Sequence, residues 1–445
     1  TAYELLRSLV GSEMCIRDSY NGMLAGVSRD GTRFFYVNPL ESAGTHHRSP
    51  WFGCACCPPN VTRTLAALGG YAYAVSTDSL YVNLYIQGTA RAKLGETAVA
   101  LRVDTDYPWD GKVRLELAPA APTRFALRLR VPGWCPQPSV AVNRRAQPGL
   151  LNQRGYLVLD RVWRRGDRVE LELPMPVQRI IAHPNVKADL GLAALQRGPI
   201  VYCLEQCDHA EPLATLWLPP ETQLKPARAP GLLGGVVTLS GEARAVSPQK
   251  WERTLYQASA PSRRAALTAI PYCVWDNRQA GPMKVWLPAS PPVLPARGLE
   301  AAAQVSLSFA HHNCQPQGIN DGQQPKNSAE QPAACCHWWP HKGTREWAQY
   351  TWPAPVRVSR ARVYWFDDTG RGECRLPAAW HLEYLDRGAW KAVAAAESYP
   401  VAWDQWCSVR FDPVKTTALR LVVQLPPGFA AGVHEWKVDD PGAVP

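Results

Sequence analysis

Apolar and polar positions change their rhythm near residue 76. Beyond that point LYVNLYI, KVRLELAP, FALRLRVP, YLVLD and DRVELELP alternate with a period of two, the pattern of half-buried antiparallel strands. Gly-Asp and Pro-Gly turns separate them. The alternation continues through LAALQRGPIVYCLE to about residue 210. A Pro-rich stretch, 210–265, has little periodicity, and IPYCVWDNRQAGPMKVWLP (270–288) predicts one more strand pair. An antiparallel β-sandwich over 76–290 is the economical arrangement. Residues 291–304 read as a linker. In 305–445 the period of two returns in EWAQYTW, RARVYWF, WHLEYL, WKAV, SVRF and ALRLVVQL, which predicts a second all-β domain, a jelly roll or sandwich.

Before residue 76 the pattern is mixed. SYNGMLAG reads as the end of a helix, and SRDG as a hairpin-type turn before a strand, TRFFYVNP. Asn60 stands where it would cap a short helix, VTRTLAAL, which Gly69 and Gly70 would stop. Residues 20–75 therefore predict the tail of a helical domain. Residues 1–19 fit neither pattern and lack the charged start and cleavage site of a signal peptide. Their string LLRSLVGSEMCIRDS resembles translated sequencing-adaptor read-through, so we set them aside as non-native. The expectation that follows is that most of an N-terminal domain lies outside this sequence.

Composition narrows the class. No apolar run approaches the roughly 18 residues of a spanning helix, so no membrane partner is expected. Lys and Arg number 48 against 38 Asp and Glu, a net charge of +10. The basic residues are scattered, in pairs at most, with no stripe of the kind that binds nucleic acid, so no nucleic-acid partner is expected. There are 18 Trp against 8 Phe. Indole faces suit sugar rings, although filling β cores accounts for most of them. Thirteen Cys is an odd number, and Cys54, Cys56 and Cys57 crowd together, as do Cys335 and Cys336. Free thiols or metal ligands are expected rather than a disulfide framework.

The strongest chemical signal is WFGCACCPPN, residues 51–60. Cys54 and Cys57 are three apart, so one turn can aim both sulfurs at a single zinc ion. Cys56 between them is a further ligand or an activated nucleophile. From spacing alone, a purely structural zinc site or a loop of inert thiols carries about equal weight.

WFGCACCPPN, with YNGMLAG and RFFYVNPLE before it and ALQRGPIVYCLE after it, resembles the β-L-arabinofuranosidases of glycoside hydrolase family 127, the former DUF1680 group. The resemblance runs from about residue 20 to the end. It implies a mainly β chain: the remnant of an (α/α)6-barrel catalytic domain, a β-sandwich, and a C-terminal galactose-binding-like jelly roll. It also implies a retaining glycosidase with a zinc-bound cysteine nucleophile. On that basis Cys56 matches the nucleophile, Cys54 and Cys57 match zinc ligands with Cys56, and Tyr36 matches an active-site tyrosine. The family's other zinc ligands, in an E-x-C motif, and its acid/base glutamate lie upstream. Glu13-Met14-Cys15 spells E-x-C but falls inside the adaptor-like string, so it reads as coincidence. This sequence alone is accordingly expected to be inactive.

Other candidates carry less. His46 and His47 precede the cysteine turn, and His47 is a candidate substrate contact, with a solvated loop as the plain alternative. Trp338, Trp339 and His341 are candidate sugar-stacking residues of the C-terminal module. Asp321-Gly322 or Asp367-Asp368 could hold Ca²⁺ there. Gln196-Arg197-Gly198-Pro199 reads as a structural turn, and Cys203 and Cys207 as core or free thiols. The expected partner is an arabinose-containing oligosaccharide or glycan, and a thiolate site favours a reducing, cytoplasmic compartment. The competing class is a non-catalytic carbohydrate-binding protein whose cysteine turn holds structural zinc.

Overall fold

The structure, a computed structural model, describes residues 21–44, 46–148, 152–246, 262–292, 298–311, 314, 316–322, 325–330, 336–395 and 398–439. The chain divides into two compact units after Pro292.

In the first unit, the alternating segments become strands with matching burial. Lys112–Pro119 reads out as exposed–buried in strict turn until its last two residues, and Asp167–Glu172 does so throughout. These two pair antiparallel within a six-stranded sheet that runs from Gly88–Leu94 to Arg145–Ala146. A five-stranded sheet faces it, with Thr123–Arg130 between Tyr156–Trp163 and Ser79–Val82; the last of these pairs is parallel. One apolar core, including Leu115, Leu117, Leu127 and Trp163, fills the space between the sheets. Each such side chain contributes about 1.5–3 kcal/mol by leaving water.

The interval expected to form a single sandwich holds more than one. From Val177 onward a separate ten-stranded sheet begins, built around Ile200–Glu205, Ser262–Pro271 and Val236–Val246, with its own cores. Its edge includes Glu41–Ser42, paired antiparallel with Met283–Lys284. Ala25 and Phe35 lie in one of its cores, beside Tyr272, Trp275 and Met283. The early segment is therefore stitched to strands more than two hundred residues away. Periodicity could not reveal this boundary, because both sheets share the period of two.

The early segment departs from expectation in three places. TRFFYVNP is not a regular strand; Phe34 makes isolated bridges to Val27 and Ser49. The helix starts earlier than Asn60, at Cys57–Ala67, because Pro58 and Pro59 stand at its first positions with φ already set for it. Asn60 is inside the helix, where its Nδ2 donates to the Cys56 carbonyl instead of capping. Gly69 and Gly70 open a further helical turn, Gly69–Ala72, rather than stopping the chain.

The second unit is one antiparallel seven-stranded sheet. Two pairs of expected strands run together: EWAQYTW and RARVYWF form Arg345–Phe366, while SVRF and ALRLVVQL form Cys407–Gln424. Their pairing slips between Thr351 and Val356. Pro353 and Pro355 fall within that slip, where a missing N–H costs no ladder bond. The core is aromatic, with Trp338, Trp352, Trp365, Trp380, Trp436 and Tyr350 all buried.

Candidate active site: the cysteine turn

Phe34 and Ser49 exchange two backbone hydrogen bonds, at 2.8 and 2.9 Å, so the chain before and after the 37–48 loop runs antiparallel. The bridge is isolated, and side chains carry the contacts beyond it: the Arg48 guanidinium lies 4.3 Å from the Phe35 ring centre. Phe35 also stacks on His46 and on Trp275. Tyr36 emerges on the other side. Its hydroxyl is 3.0 Å from Cys56 Sγ, and its ring meets Phe52 edge-on.

Cys56 precedes the first residue of the helix Cys57–Ala67, where unpaired N–H groups and the helix dipole favour negative charge. Its Sγ is 3.6 Å from that of Cys57. The Tyr36 hydroxyl, and then Cys57, hold the Cys56 thiol below its usual range. The effects on the partners are opposite. Cys57 is raised by its bond with Cys56, and Tyr36 is pushed up to about 12. The opposite shifts favour ionisation at Cys56 over Tyr36 and Cys57. Cys54 and Cys56 are exposed free thiols, and Cys57 is a half-buried one.

Two thiolates on one tetrahedral zinc, each at about 2.3 Å, sit roughly 3.8 Å apart. The Cys56–Cys57 separation fits that geometry. Cys54 stands apart from the pair: the three sulfurs do not come within 4.8 Å of one another, a grouping reached among the described residues only by Glu205, Cys207 and Asp208. The helix begins at Cys57, so Cys54 precedes it rather than sharing its first turn. Glu205 and Asp208 already share the Arg278 guanidinium, which neutralises that other cluster. Glu13 and Cys15 lie outside the described residues.

The remaining candidates sort cleanly. His47 Nδ1 is 2.7 Å from Asp276 Oδ1, whereas His46 Nε2 meets the Val37 carbonyl at 2.9 Å. Trp338 is corrected from a sugar-stacking residue to a core residue, 1% exposed among the aromatics of the second unit. Trp339 is partly exposed and its indole donates to Glu373, while His341 bonds Glu346 and packs on Phe309. The Asp367 oxygens accept from Thr369, Leu376 and Trp403, and Asp368 accepts from the Cys374 N–H, so this pair organises its own loop rather than offering a calcium site. Asp321 differs. Burial and the Asp321 charge push the nearby Glu435 up to about 9, and Glu435 Oε2 is buried with no hydrogen-bond partner among the described residues. Gln196 bonds the Gly198 carbonyl, and Gly198 is left-handed at φ +56°, as a structural turn requires.

Sequence reasoning missed Arg48 and Asp276. Arg48 is 4% exposed and donates to the carbonyls of Ala25, Trp275 and Asp276. The one local hint was Asp-Asn at 276–277, a turn pair inside what had read as a strand.

Three family models match consecutive parts of the chain. Residues 13–70 match the beta-L-arabinofuranosidase GH127 catalytic domain, 79–175 the GH127 middle domain, and 177–288 the glycoside hydrolase family 127 C-terminal domain. The chain belongs to glycoside hydrolase family 127. A non-reducing end beta-L-arabinofuranosidase of Bifidobacterium longum subsp. longum is 34% identical over 295 residues, 61% of this chain and 44% of that protein. A solved GH127 beta-L-arabinofuranosidase from Geobacillus stearothermophilus T6 is 40% identical with a TM-score of 0.58, over 62% of this chain and 45% of that one. A second solved GH127 beta-arabinofuranosidase is 36% identical, also at 0.58, over 63% of this chain and 45% of that one. This family 127 chain thus spans under half the length of the relatives it matches. The middle and C-terminal matches meet between residues 175 and 177, where the sandwich gives way to the ten-stranded sheet.

Proposed function

We propose that this family 127 chain forms part of a retaining glycosidase that removes terminal β-L-arabinofuranose from arabinose-containing, plant-type glycans, with Cys56 as the nucleophile. The observation that carries the reading is the Tyr36 hydroxyl on an exposed Cys56 thiol whose ionisation is favoured. A buried structural thiol would have neither feature. In the first step the Cys56 thiolate attacks the anomeric carbon, and the bond to the leaving oxygen breaks with its electron pair. That oxygen takes a proton from a carboxylic acid; Tyr36, pushed up to about 12, is too weak an acid for the task. Water then attacks the same carbon, gives its proton to that carboxylate, and the C–S bond breaks to restore the thiolate. Zinc held by Cys56 and Cys57 would keep both sulfurs deprotonated.

On the same reading residues 20–75 belong to the helical-barrel catalytic domain, and residues 305–445 are a galactose-binding-like jelly roll. Calcium beside Asp321 and Glu435 would relieve the repulsion between those carboxylates. Replacing Cys56 by Ser is the test. In the whole enzyme of which this chain forms part, hydrolysis of an aryl β-L-arabinofuranoside is expected to vanish with the fold intact, while Cys54→Ser keeps most of the activity. Unfolding of Cys56→Ser with loss of bound zinc would instead favour a non-catalytic carbohydrate-binding protein with a structural zinc turn.

A further inference from the structure

The second unit has an aromatic core, so the rings it leaves in water stand out. Among its described residues these are Trp339 at 36% exposure, Phe429 at 39% and Trp403 at 61%. Trp403 serves the Asp367 loop, to which its indole donates. The other two lead to Glu373. The Trp339 indole Nε1 donates to Glu373 Oε2 at 2.8 Å, and the His311 ring meets that indole T-shaped at 5.1 Å. Lys342 Nζ donates to the second oxygen, Glu373 Oε1, at 2.6 Å. Phe429 is joined to the same residue through the backbone, because Ala430 donates its N–H to the Glu373 carbonyl. Two loops from distant parts of the sequence therefore converge on one carboxylate.

The loop that carries Trp339 and Lys342 is itself fixed. The His341 N–H donates to the carbonyl of buried Trp338, and His341 Nδ1 is 2.7 Å from Glu346 Oε1. The same buried carboxylate accepts from Thr344 and Ser308, and Gln424 donates to the Gly343 carbonyl at 2.9 Å. A loop tied this closely loses little further freedom when a ligand arrives. Lys342, and then Trp339, hold the Glu373 carboxyl below its usual range, so it is an acceptor at neutral pH. Each of its oxygens can accept more than one hydrogen bond, and Lys342 spends one of three donors on the pair. Both side chains reach solvent. A donor and an acceptor one hydrogen bond apart, beside an exposed indole, match one class of ligand. Neighbouring hydroxyls of a pyranose are gauche, which sets their oxygens about one hydrogen bond apart, and the C–H face of the ring packs on an aromatic face. Glu373 disfavours an anionic ligand by like charge.

We propose that Trp339, Lys342 and Glu373 form a second carbohydrate site, in which a neutral pyranose lays one face on the Trp339 indole and sets two adjacent hydroxyls on the Lys342–Glu373 pair. The site goes beyond the arabinofuranosidase reading and needs neither Cys56 nor zinc. It holds a glycan by a sugar other than the terminal furanose that Cys56 would attack. His341 is then a support of the loop rather than a stacking residue.

The experiment uses the full chain, labelled with ¹⁵N, and the methyl pyranosides of galactose, glucose, mannose, xylose and L-arabinose as probes. The Trp339 indole N–H signal is identified by its loss in Trp339→Ala. At least one pyranoside should shift that signal saturably in the wild type. Calorimetric titration with the same pyranoside should then show about a tenfold loss of affinity in Glu373→Gln and in Lys342→Met, the worth of one hydrogen bond to a charged group. Trp339→Ala should weaken binding at least as much, by removing the stacking face. The Glu373→Gln side chain can still accept from the indole, and the wild-type spectrum decides the matter even if a variant folds poorly. No saturable shift with any of the pyranosides overturns the proposal. So does binding that leaves the Trp339 signal in place, or affinity undiminished in Trp339→Ala and Lys342→Met.

Discussion

In the strand Lys112–Pro119 nearly every second side chain is buried, whereas the helix Cys57–Ala67 buries only Pro58. The strand is held by apolar area, repeated at each inward position. The loop before the helix is held by a few directional bonds to distant parts of the chain, above all those of Arg48 and Asp276. A region stabilised by area tolerates change at its exposed positions, and its chemistry is inert. A region stabilised by polar clamps keeps its reactive groups in water while fixing where they point. That is the arrangement a thiolate nucleophile needs.

Glu435 tests the apolar side of the contrast most severely, since it is a carboxyl at a fully buried strand position in the second unit. Its folded-state value, about 9, lies above the ordinary 4.5. The folded state therefore binds the extra proton between those values, and stability falls as pH rises from about 4.5 to 9. By linkage the full shift is on the order of 6 kcal/mol. Unfolding of the second unit followed across that range should show the decline, and Glu435→Gln or added calcium should flatten it.

Leu117, 0% exposed in the sandwich core, comes next. Leu117→Ala should cost about 2–5 kcal/mol in denaturant unfolding and leave Cys56 reactivity unchanged. Arg48→Met should cost about 1–3 kcal/mol by leaving buried carbonyls unpaired, and unlike Leu117→Ala it should also disturb Cys56. Equal effects of the two on Cys56 would erase the distinction between area and clamp. Tyr36→Phe is the smallest perturbation of the fold. It should leave the unfolding midpoint in place and slow alkylation of Cys56 at neutral pH several-fold, by removing the bond that favours its thiolate.

What could be read in advance divides along the same line. Period-two alternation marked the strands from Ser79 to Glu172, because each inward residue faces the same core. It said nothing of where one sheet ends and the next begins near Val177, since both obey the same rule. Trp338 read as a loop aromatic and is core, because its buried partners, such as Trp436, lie about a hundred residues away. At the site, Cys56 and Tyr36 were identifiable from the WFGCACCPPN and RFFYVNP motifs, and the structure brings them to 3.0 Å. The CxxC spacing pointed to Cys54 with Cys57, but the two prolines start the helix at Cys57, and the close pair is Cys56 with Cys57. Asp276 was out of reach for a simpler reason: its partner is 229 positions away, and no local pattern encodes that contact.

The central claim is that Cys56, and not its neighbours, forms the bond to the sugar. An L-arabinofuranose-configured epoxide, incubated with the protein and followed by peptide mapping, tests it most directly. The account predicts a single adduct on Cys56, absent in Cys56→Ala and slowed in Tyr36→Phe. An adduct on Cys54, on Cys57 or on a carboxylate, or labelling undiminished in Cys56→Ala, would contradict it.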